Sequence, residues 1–178
     1  MKNNNRPIYT NRLLITLIKE EDLEEVRSLH NEPSVLSKLS DSRFVSNEMQ
    51  HDWFKSLEKS RNSFRFVCRS IETGNLIGVF RIDNFDQLNK SAMIGLDISE
   101  RYRRQSYATE IYSYFMKYFY VEVGFHRLYL NTLENNKAAR NLYVKLGFSI
   151  EGKLIDAIFR DNKFHNLICY YKLNEKLS

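Results

Sequence analysis

The sequence predicts a single mixed α/β (α+β) domain, built on a central, mostly antiparallel sheet of about seven strands with helices on both faces. Three observations lead to this prediction. The chain has 178 residues and 43% are hydrophobic, which suits one domain with a sizeable core. Segments in which apolar and polar residues alternate are expected to form hairpins. Segments in which apolar residues recur at helical spacing connect other strands. Neither a linker nor a repeat divides residues 1–178, so we expect one domain.

The N-terminal half contains strand and helix signals in the order β-α-α-β-β-β. Residues 12–18 are a β-type run. Residues 20–31 are expected to form a helix, because apolar residues recur every three positions and acids occupy the first turn. A second helix is predicted over 46–59, with Ser46 as its N-cap. Alternating apolar residues predict strands over 64–71, 76–85 and 91–99.

The C-terminal half continues in the order α-β-α-β-β. The longest helix is predicted over 106–123, since aromatic and aliphatic residues recur there at helical spacing. A strand over 127–133 precedes a short helix that begins after the N-cap Asn136 and ends before Gly147. The last two strands are predicted over 148–158 and 164–173.

The charge balance favours acidic ligands without indicating a nucleic-acid platform. Lys and Arg number 27 against 22 Asp and Glu, and the pI is near 9.1. Such an excess favours a phosphate-bearing cofactor, but the basic residues are scattered along the chain. We therefore expect no direct nucleic-acid partner; salt-sensitive binding to DNA or RNA would contradict this.

The cysteine and histidine patterns predict neither a disulfide nor a metal site. Cys68 and Cys169 each lie in an alternating apolar stretch, as expected for thiols in strands of a reduced cytoplasmic protein. The four histidines have no ligand spacing. No apolar segment follows residues 1–6, and Lys117 and Glu122 interrupt the longest apolar stretch. We therefore expect no signal peptide, no membrane association and a cytoplasmic location.

Two segments have the residue types of a functional site, although each also has an ordinary structural interpretation. Residues 101–110 join a strand to a long helix, and a turn there can direct backbone N–H groups at an anion such as a pyrophosphate. The alternative is a basic helix start on a solvated face. In residues 136–148, Ala139 and Tyr143 lie on one face of a short helix. The alternative there is a well-capped helix with a core tyrosine.

Together, in this order, the two segments resemble the GNAT superfamily of N-acetyltransferases. The superfamily's acetyl-CoA motif, Arg/Gln-x-x-Gly-x-Gly/Ala, is matched by Arg103, Ser106 and Ala108, with serine at the glycine position. The resemblance covers nearly the whole chain and is closest to the branch of ribosomal-protein N-terminal, spermidine and amino-sugar acetyltransferases. The second motif is matched at Asn136, Ala139, Tyr143, Lys145, Gly147 and Phe148.

The resemblance implies a reaction, a cofactor site and one catalytic residue. The acetyl group of acetyl-CoA would pass directly to a primary amine of a protein N-terminus, amino sugar or small amine, without a metal. Tyr143 would be the general acid that protonates the departing thiolate. Acetyl-CoA would contact Leu96, Asp97, Ile98, Arg103, Arg104, Gln105, Ser106, Tyr107, Ala108, Thr109, Asn131, Asn136 and Ala139.

The general base is not assigned by the resemblance. Asn131 stands where some relatives have a glutamate, so Asp97, Glu134 and a water chain stay open as alternatives. The resemblance places the acceptor between the first two helices and the last two strands. That region contains aromatic residues, histidines and acids, namely His51, Trp53, Phe54, Phe159, His165, Glu48, Asp52, Asp156 and Asp161.

Two further expectations concern function and assembly. A non-catalytic GNAT-fold module that binds CoA or a partner protein is the alternative to an enzyme. An edge strand near the C-terminus could pair two copies of the chain into a homodimer.

Overall fold

An eight-stranded sheet forms the centre of the computed structural model, which describes residues 6–175. Its order is β1-β2-β3-β4-β5-β6-β8-β7, and only the β5–β6 pair is parallel. The predicted fold class is therefore confirmed, with one strand more than expected. The strands are β1 (Ile8–Tyr9), β2 (Leu13–Leu17), β3 (Phe64–Ser70), β4 (Leu76–Asp86), β5 (Ser91–Ile98), β6 (Arg127–Leu133), β7 (Ser149–Arg160) and β8 (Lys163–Leu173).

Within residues 6–175, five α-helices cover the sheet, together with short 3₁₀ turns at Glu20–Asp22 and Glu100–Tyr102. The predicted helix over 20–31 thus begins with a 3₁₀ turn, and the helix after Glu32 was missed because it spans one turn. The helices are α1 (Leu23–His30), α2 (Pro33–Leu36), α3 (Asn47–Lys59), α4 (Tyr107–Lys117) and α5 (Lys137–Lys145).

The helix predicted over 106–123 changes its geometry part-way. Helix α4 ends at Lys117, and Tyr118–Val123 continues as a π-helical turn that closes at Gly124. Asn174 donates from its side-chain amide to the carbonyl of Tyr120 at 3.0 Å. The wider turn is stabilised by a residue 54 positions away, which helical periodicity does not reveal.

The two faces of the sheet carry separate hydrophobic cores. The larger core lies under α4 and α5, where the rings of Phe80 and Phe115 stack with centroids 3.9 Å apart. The smaller core joins Val67 and Val79 to α1 and α3. Helices on both faces are therefore confirmed, and they fix α4 and α3 on opposite sides of the central strands.

Local capping fixes where two of the helices begin. The Ser46 hydroxyl accepts from the backbone of Met49 at 3.2 Å, and the Asn136 side chain accepts from the backbone of Ala139 at 3.3 Å. Gly147 follows α5 with a φ of +81°, a left-handed conformation that favours glycine. All three predicted capping residues are confirmed.

Strands β5 and β6 pair over three residues only. Ser91, Ala92 and Met93 face Arg127, Leu128 and Tyr129, and the strands then part. The remainder of β5 stays paired with β4, and β6 stays paired with β8 along its whole length. Each strand thus keeps one ladder while its other edge faces a gap in the sheet.

The other general expectations can be compared with residues 6–175. Both cysteines are free; Cys68 is buried, but Cys169 is only partly buried, because β8 lies next to the exposed edge strand β7. Within the described residues no helix is long and apolar enough to cross a membrane, and no metal-binding group of side chains occurs. Most of the segment considered as the start of a signal peptide, residues 1–5, lies outside the described residues.

Candidate active site

A groove with a volume of about 1120 Å³ runs through the gap between β5 and β6. On one side, which we call the α4 side, it is lined by residues between Arg103 and Thr109 and by α5. On the other side, the α3 side, it is lined by residues of α1, α3 and the loop between α2 and α3. The open edge of β5 lies between the two sides, so one ligand can pass through the sheet.

The turn before α4 has an unusual backbone. Arg104 and Ser106 have φ angles of +61° and +65°, in the left-handed region that side-chain-bearing residues rarely adopt. Ser106 is the N-cap of α4, so the amides that follow it point out of the helix start. Such a turn with a helix dipole behind it suits a phosphate group.

Ser106 stands at the family's glycine position and adopts the left-handed conformation there. This conformation costs about 1–2 kcal/mol for a residue with a Cβ. Its hydroxyl does not cap the helix. The turn therefore keeps the geometry that glycine would give it.

Two anchors hold this turn from outside the groove. Arg12 donates to the carbonyl of Gln105 at 3.0 Å and to the carboxylate of Glu110 at 2.8 Å. On the other flank, Glu32 accepts from the Ser99 hydroxyl at 2.7 Å and from the backbone N–H of Glu100 at 3.0 Å. The segment between β5 and α4 is thus fixed at both ends before any ligand binds.

Glu110 is suited to this anchoring role. Burial raises the pKa of the Glu110 carboxyl, but hydrogen bonds from Thr10 and Arg12 outweigh burial and leave its pKa below the usual 4.5. The ion pair with Arg12 therefore stays formed across the neutral pH range.

Three cations line the α4 side with little or no competition. Arg103 donates to the carbonyl of Ile98 at 3.2 Å. The side chains of Arg104 and Lys145 make no hydrogen bond or ion pair to any residue between 6 and 175. A ligand with several phosphates would find positive charge at each of these side chains.

Tyr143 lines the groove with a nearly buried ring. It is 7% exposed and packs against Tyr112 and Tyr170, with ring centroids 6.0 and 5.4 Å away. Burial raises the pKa of the Tyr143 phenol, and the neighbouring Tyr112 hydroxyl offsets that rise only in part. Tyr143 therefore stays protonated at neutral pH and can donate a proton.

Arg81 of β4 reaches across β5 toward the same part of the groove. Its guanidinium lies over Gly95. A Cβ atom added to this glycine would come within 2.9 Å of the Arg81 Nη2 atom. It faces the Asp97 carboxylate at 3.4 Å. Asp97 raises the pKa of Arg81, and the Tyr112 and Tyr143 phenols add to this effect, so the four side chains interact electrostatically.

The structure brings nearly all of the expected cofactor residues together. Every one lines the groove except Gln105. The Gln105 carbonyl is taken by Arg12, and its side chain donates to the carbonyl of Arg101 at 2.9 Å. Asn136 also lines the groove, but its side chain caps α5 and donates to Thr132 at 3.2 Å. These contacts leave Asn136 little capacity for direct hydrogen bonds to a ligand.

The structure separates the two carboxylates considered as a general base. Asp97 lines the groove, whereas Glu134 does not. The Glu134 carboxylate accepts from Lys153 and from Asn166, both at 2.7 Å, and these contacts lower its pKa. Glu134 is thereby held against β7 and β8, away from the open edge of β5.

Few of the residues expected near the acceptor line this groove. Of the expected aromatic residues and histidines only Trp53 lines the groove, and none of the four expected acids does. The acids that do line the groove are Asp41, Asp83 and Asp97.

Two polar residues on the α3 side, Gln50 and Arg81, were missed from the sequence. Two signals for them were available in the sequence. Gln50 lies on the same helical face as Trp53 and Leu57, and Arg81 and Asp83 place charges at alternate positions of one strand. A polar side chain on an otherwise apolar face can indicate a site, but it is equally typical of solvated surface.

Comparison with known proteins identifies the family. The profile described as "Acetyltransferase (GNAT) domain" matches residues 12–149. The chain belongs to this family.

Individual relatives agree with this assignment. The chain is 26% identical to spermidine N(1)-acetyltransferase of Escherichia coli K12, across 85% of this chain and 80% of that protein. It is 29% identical to an SPbeta prophage-derived N-acetyltransferase of Bacillus subtilis, across 92% of this chain and 91% of that protein. The Vibrio cholerae spermidine N-acetyltransferase crystallised with CoA and spermine superposes with a TM-score of 0.87 at 21% identity, covering 94% and 98% of the two chains.

The GNAT assignment settles the general activity. The chain is an acetyl-CoA-dependent acyltransferase that acetylates a primary amine. A non-catalytic module is therefore not favoured.

Replacing Ser106 by glycine tests the strain in the GNAT turn. Glycine adopts a φ of +65° freely, so Ser106→Gly should raise the free energy of unfolding by up to about 1 kcal/mol, after the extra chain entropy of glycine is subtracted. Urea titration of the two proteins measures this difference. Ser106→Ala keeps the strain and should give no gain; an equal gain from alanine would show that backbone strain is not the cause.

Proposed function

We propose that the groove binds acetyl-CoA in the gap between β5 and β6, and that a small primary amine reaches the thioester from the α3 side. The observation behind this proposal is the parting of β5 and β6 beyond Met93, which leaves the open edge of Leu96–Ile98 without a strand partner; on that edge the Ile98 carbonyl accepts from Arg103. An extended ligand can hydrogen-bond to that edge as an added strand would. The bound cofactor supplies an activated acetyl thioester.

The residues of the α4 side fit the phosphate end of the cofactor. The amides after Ser106 and the side chains of Arg103, Arg104 and Lys145 would hold the phosphates. Tyr102 also lines the groove, and its buried hydroxyl has no hydrogen-bond partner within residues 6–175. An unpaired buried hydroxyl is uncommon, and a bound ligand accounts for it.

Proton movements at the reaction centre are assigned to Tyr143 and Asp97. The Tyr143 phenol, kept protonated by burial, would donate its proton to the departing thiolate. Asp97 would accept the proton of the attacking amine through a water molecule, since it is the carboxylate beside the open edge of β5. The protein contributes no nucleophile, because holding amine and thioester together makes the attack effectively unimolecular.

The acceptor has two candidate classes. The spermidine acetyltransferases among the relatives favour a polyamine. A protein N-terminus or an amino sugar is the other class, which the sequence resemblance includes. Both present a primary amine to the same reaction centre.

Tyr143→Phe tests the proposed proton donor. The variant should lower kcat by about 10²–10⁴-fold and leave the affinity for CoA within a factor of about two, because only the transition state loses a proton donor. Release of free thiol from acetyl-CoA with a panel of amines measures kcat, and calorimetry measures CoA binding. Tyr114→Phe removes a hydroxyl of α4 that does not line the groove and should be neutral. Undiminished turnover in Tyr143→Phe would refute the acid role.

We also propose that the edge strand β7 pairs two copies of the chain. Strand β7 is exposed along most of its length, and Ile150, Leu154, Ile155 and Phe159 are 56%, 50%, 67% and 63% exposed. A long edge strand with exposed apolar side chains favours association with another strand.

Ile155→Lys tests this pairing. The wild-type chain should sediment as a dimer and the variant as a monomer, because burying an unpaired lysine in the contact is costly. Leu88→Lys is the matched control, since Leu88 is 89% exposed in the β4–β5 connection, and it should stay dimeric. A monomeric wild-type chain at high micromolar concentration would contradict the pairing.

A further inference from the structure

The α3 side of the groove has no free carboxylate. Its three acids, Asp41, Asp83 and Asp97, face Arg43 at 2.7 Å, Arg65 at 2.9 Å and Arg81 at 3.4 Å. A ligand with several ammonium groups would have to compete with an arginine for each of these carboxylates. The charges that attract polycations are therefore already neutralised among the described residues.

Positive charge is left over on the same side. Lys38 lines the groove, and its side-chain ammonium makes no hydrogen bond or ion pair to residues 6–175. Arg81 has five N–H donors, but its only ion pair in this part of the chain is the long contact to Asp97. Its side chain is 37% exposed, so donors stay accessible to a ligand.

Gln50 adds an unpartnered hydrogen-bond donor. It is 5% exposed, lines the groove from α3, and its amide nitrogen has no partner within the described residues. A buried amide without a partner is destabilising, and an oxygen of a bound ligand would relieve that cost. The α3 side thus offers donors and cations to oxygen atoms of a ligand.

We infer that the acceptor is a primary amine that also bears an anionic oxygen group, a carboxylate or a phosphate, which binds Arg81, Lys38 and Gln50. This inference rests on the proposed function, because it assumes that the amine enters from the α3 side. The anionic group binds the guanidinium of Arg81 while the amine reaches the thioester beside Tyr143 and Asp97. A polyamine would instead bring ammonium groups against Arg81 and Lys38.

Matched amines test the charge preference. Pentylamine, 5-aminopentanoate and 1,5-diaminopentane differ at one end of a similar chain, and glucosamine differs from glucosamine 6-phosphate by the phosphate alone. A charge-assisted hydrogen bond predicts a kcat/KM about 10- to 100-fold higher for an anionic member than for its neutral partner. The carboxylate and phosphate sets distinguish the two anionic groups, and spermidine should be the poorest amine.

The variants Arg81→Met and Lys38→Met test whether these two cations cause the preference for anionic amines. Each should reduce the ratio of anionic to neutral kcat/KM, and exposed Lys38 can be replaced without disturbing the core. Arg61→Met changes an exposed arginine that does not line the groove and should leave the ratio unaltered. A preference for spermidine or 1,5-diaminopentane, turnover of none of these amines, or an unchanged ratio in both groove variants would overturn the inference. Failure of CoA itself to bind in calorimetry would refute the proposed function, and this inference with it.

Discussion

The parting of β5 and β6 is the constraint on which the active site depends. A sheet that stayed paired beyond Met93 would close the groove and satisfy the backbone of Leu96–Ile98 internally. Strand β5 stays paired with β4, and β6 stays paired with β8. At the gap, each of the two strands therefore lacks a partner on only one of its two edges. The open edge is available to a ligand, and the turn before α4 lies at its end.

The groove differs in charge along its length, and in the proposed mechanism this difference orients the two substrates. On the α4 side, Arg104 and Lys145 are unpaired among the described residues, as a phosphate-rich cofactor requires. On the α3 side, acids and arginines neutralise one another and leave a small positive excess. Tyr143 lies between the two regions, where burial keeps its phenol protonated. In the proposed mechanism the cofactor and the amine approach the same phenol from opposite sides of the sheet.

Most of the fold and the α4 side could be predicted from sequence because their signals are local. The caps Ser46 and Asn136, the left-handed Gly147 and the alternation of the strands act within a few residues. The π-helical turn and the position of Glu134 could not be predicted, because distant partners determine them. The α3 side was predicted least well: its charges come from three strands and one long loop, and sequence alone does not show which acid meets which arginine.

Hydrogen–deuterium exchange with and without CoA tests the central claim most directly. If the cofactor binds along the open edge of β5, the amides of Leu96 and Ile98, which face that edge, and of the segment after Ser106 should exchange more slowly when CoA is present. The edge strand β7 should be unaffected and serves as the internal reference. Unchanged exchange at Leu96 and Ile98 under saturating CoA would contradict the account, because the cofactor would then bind elsewhere.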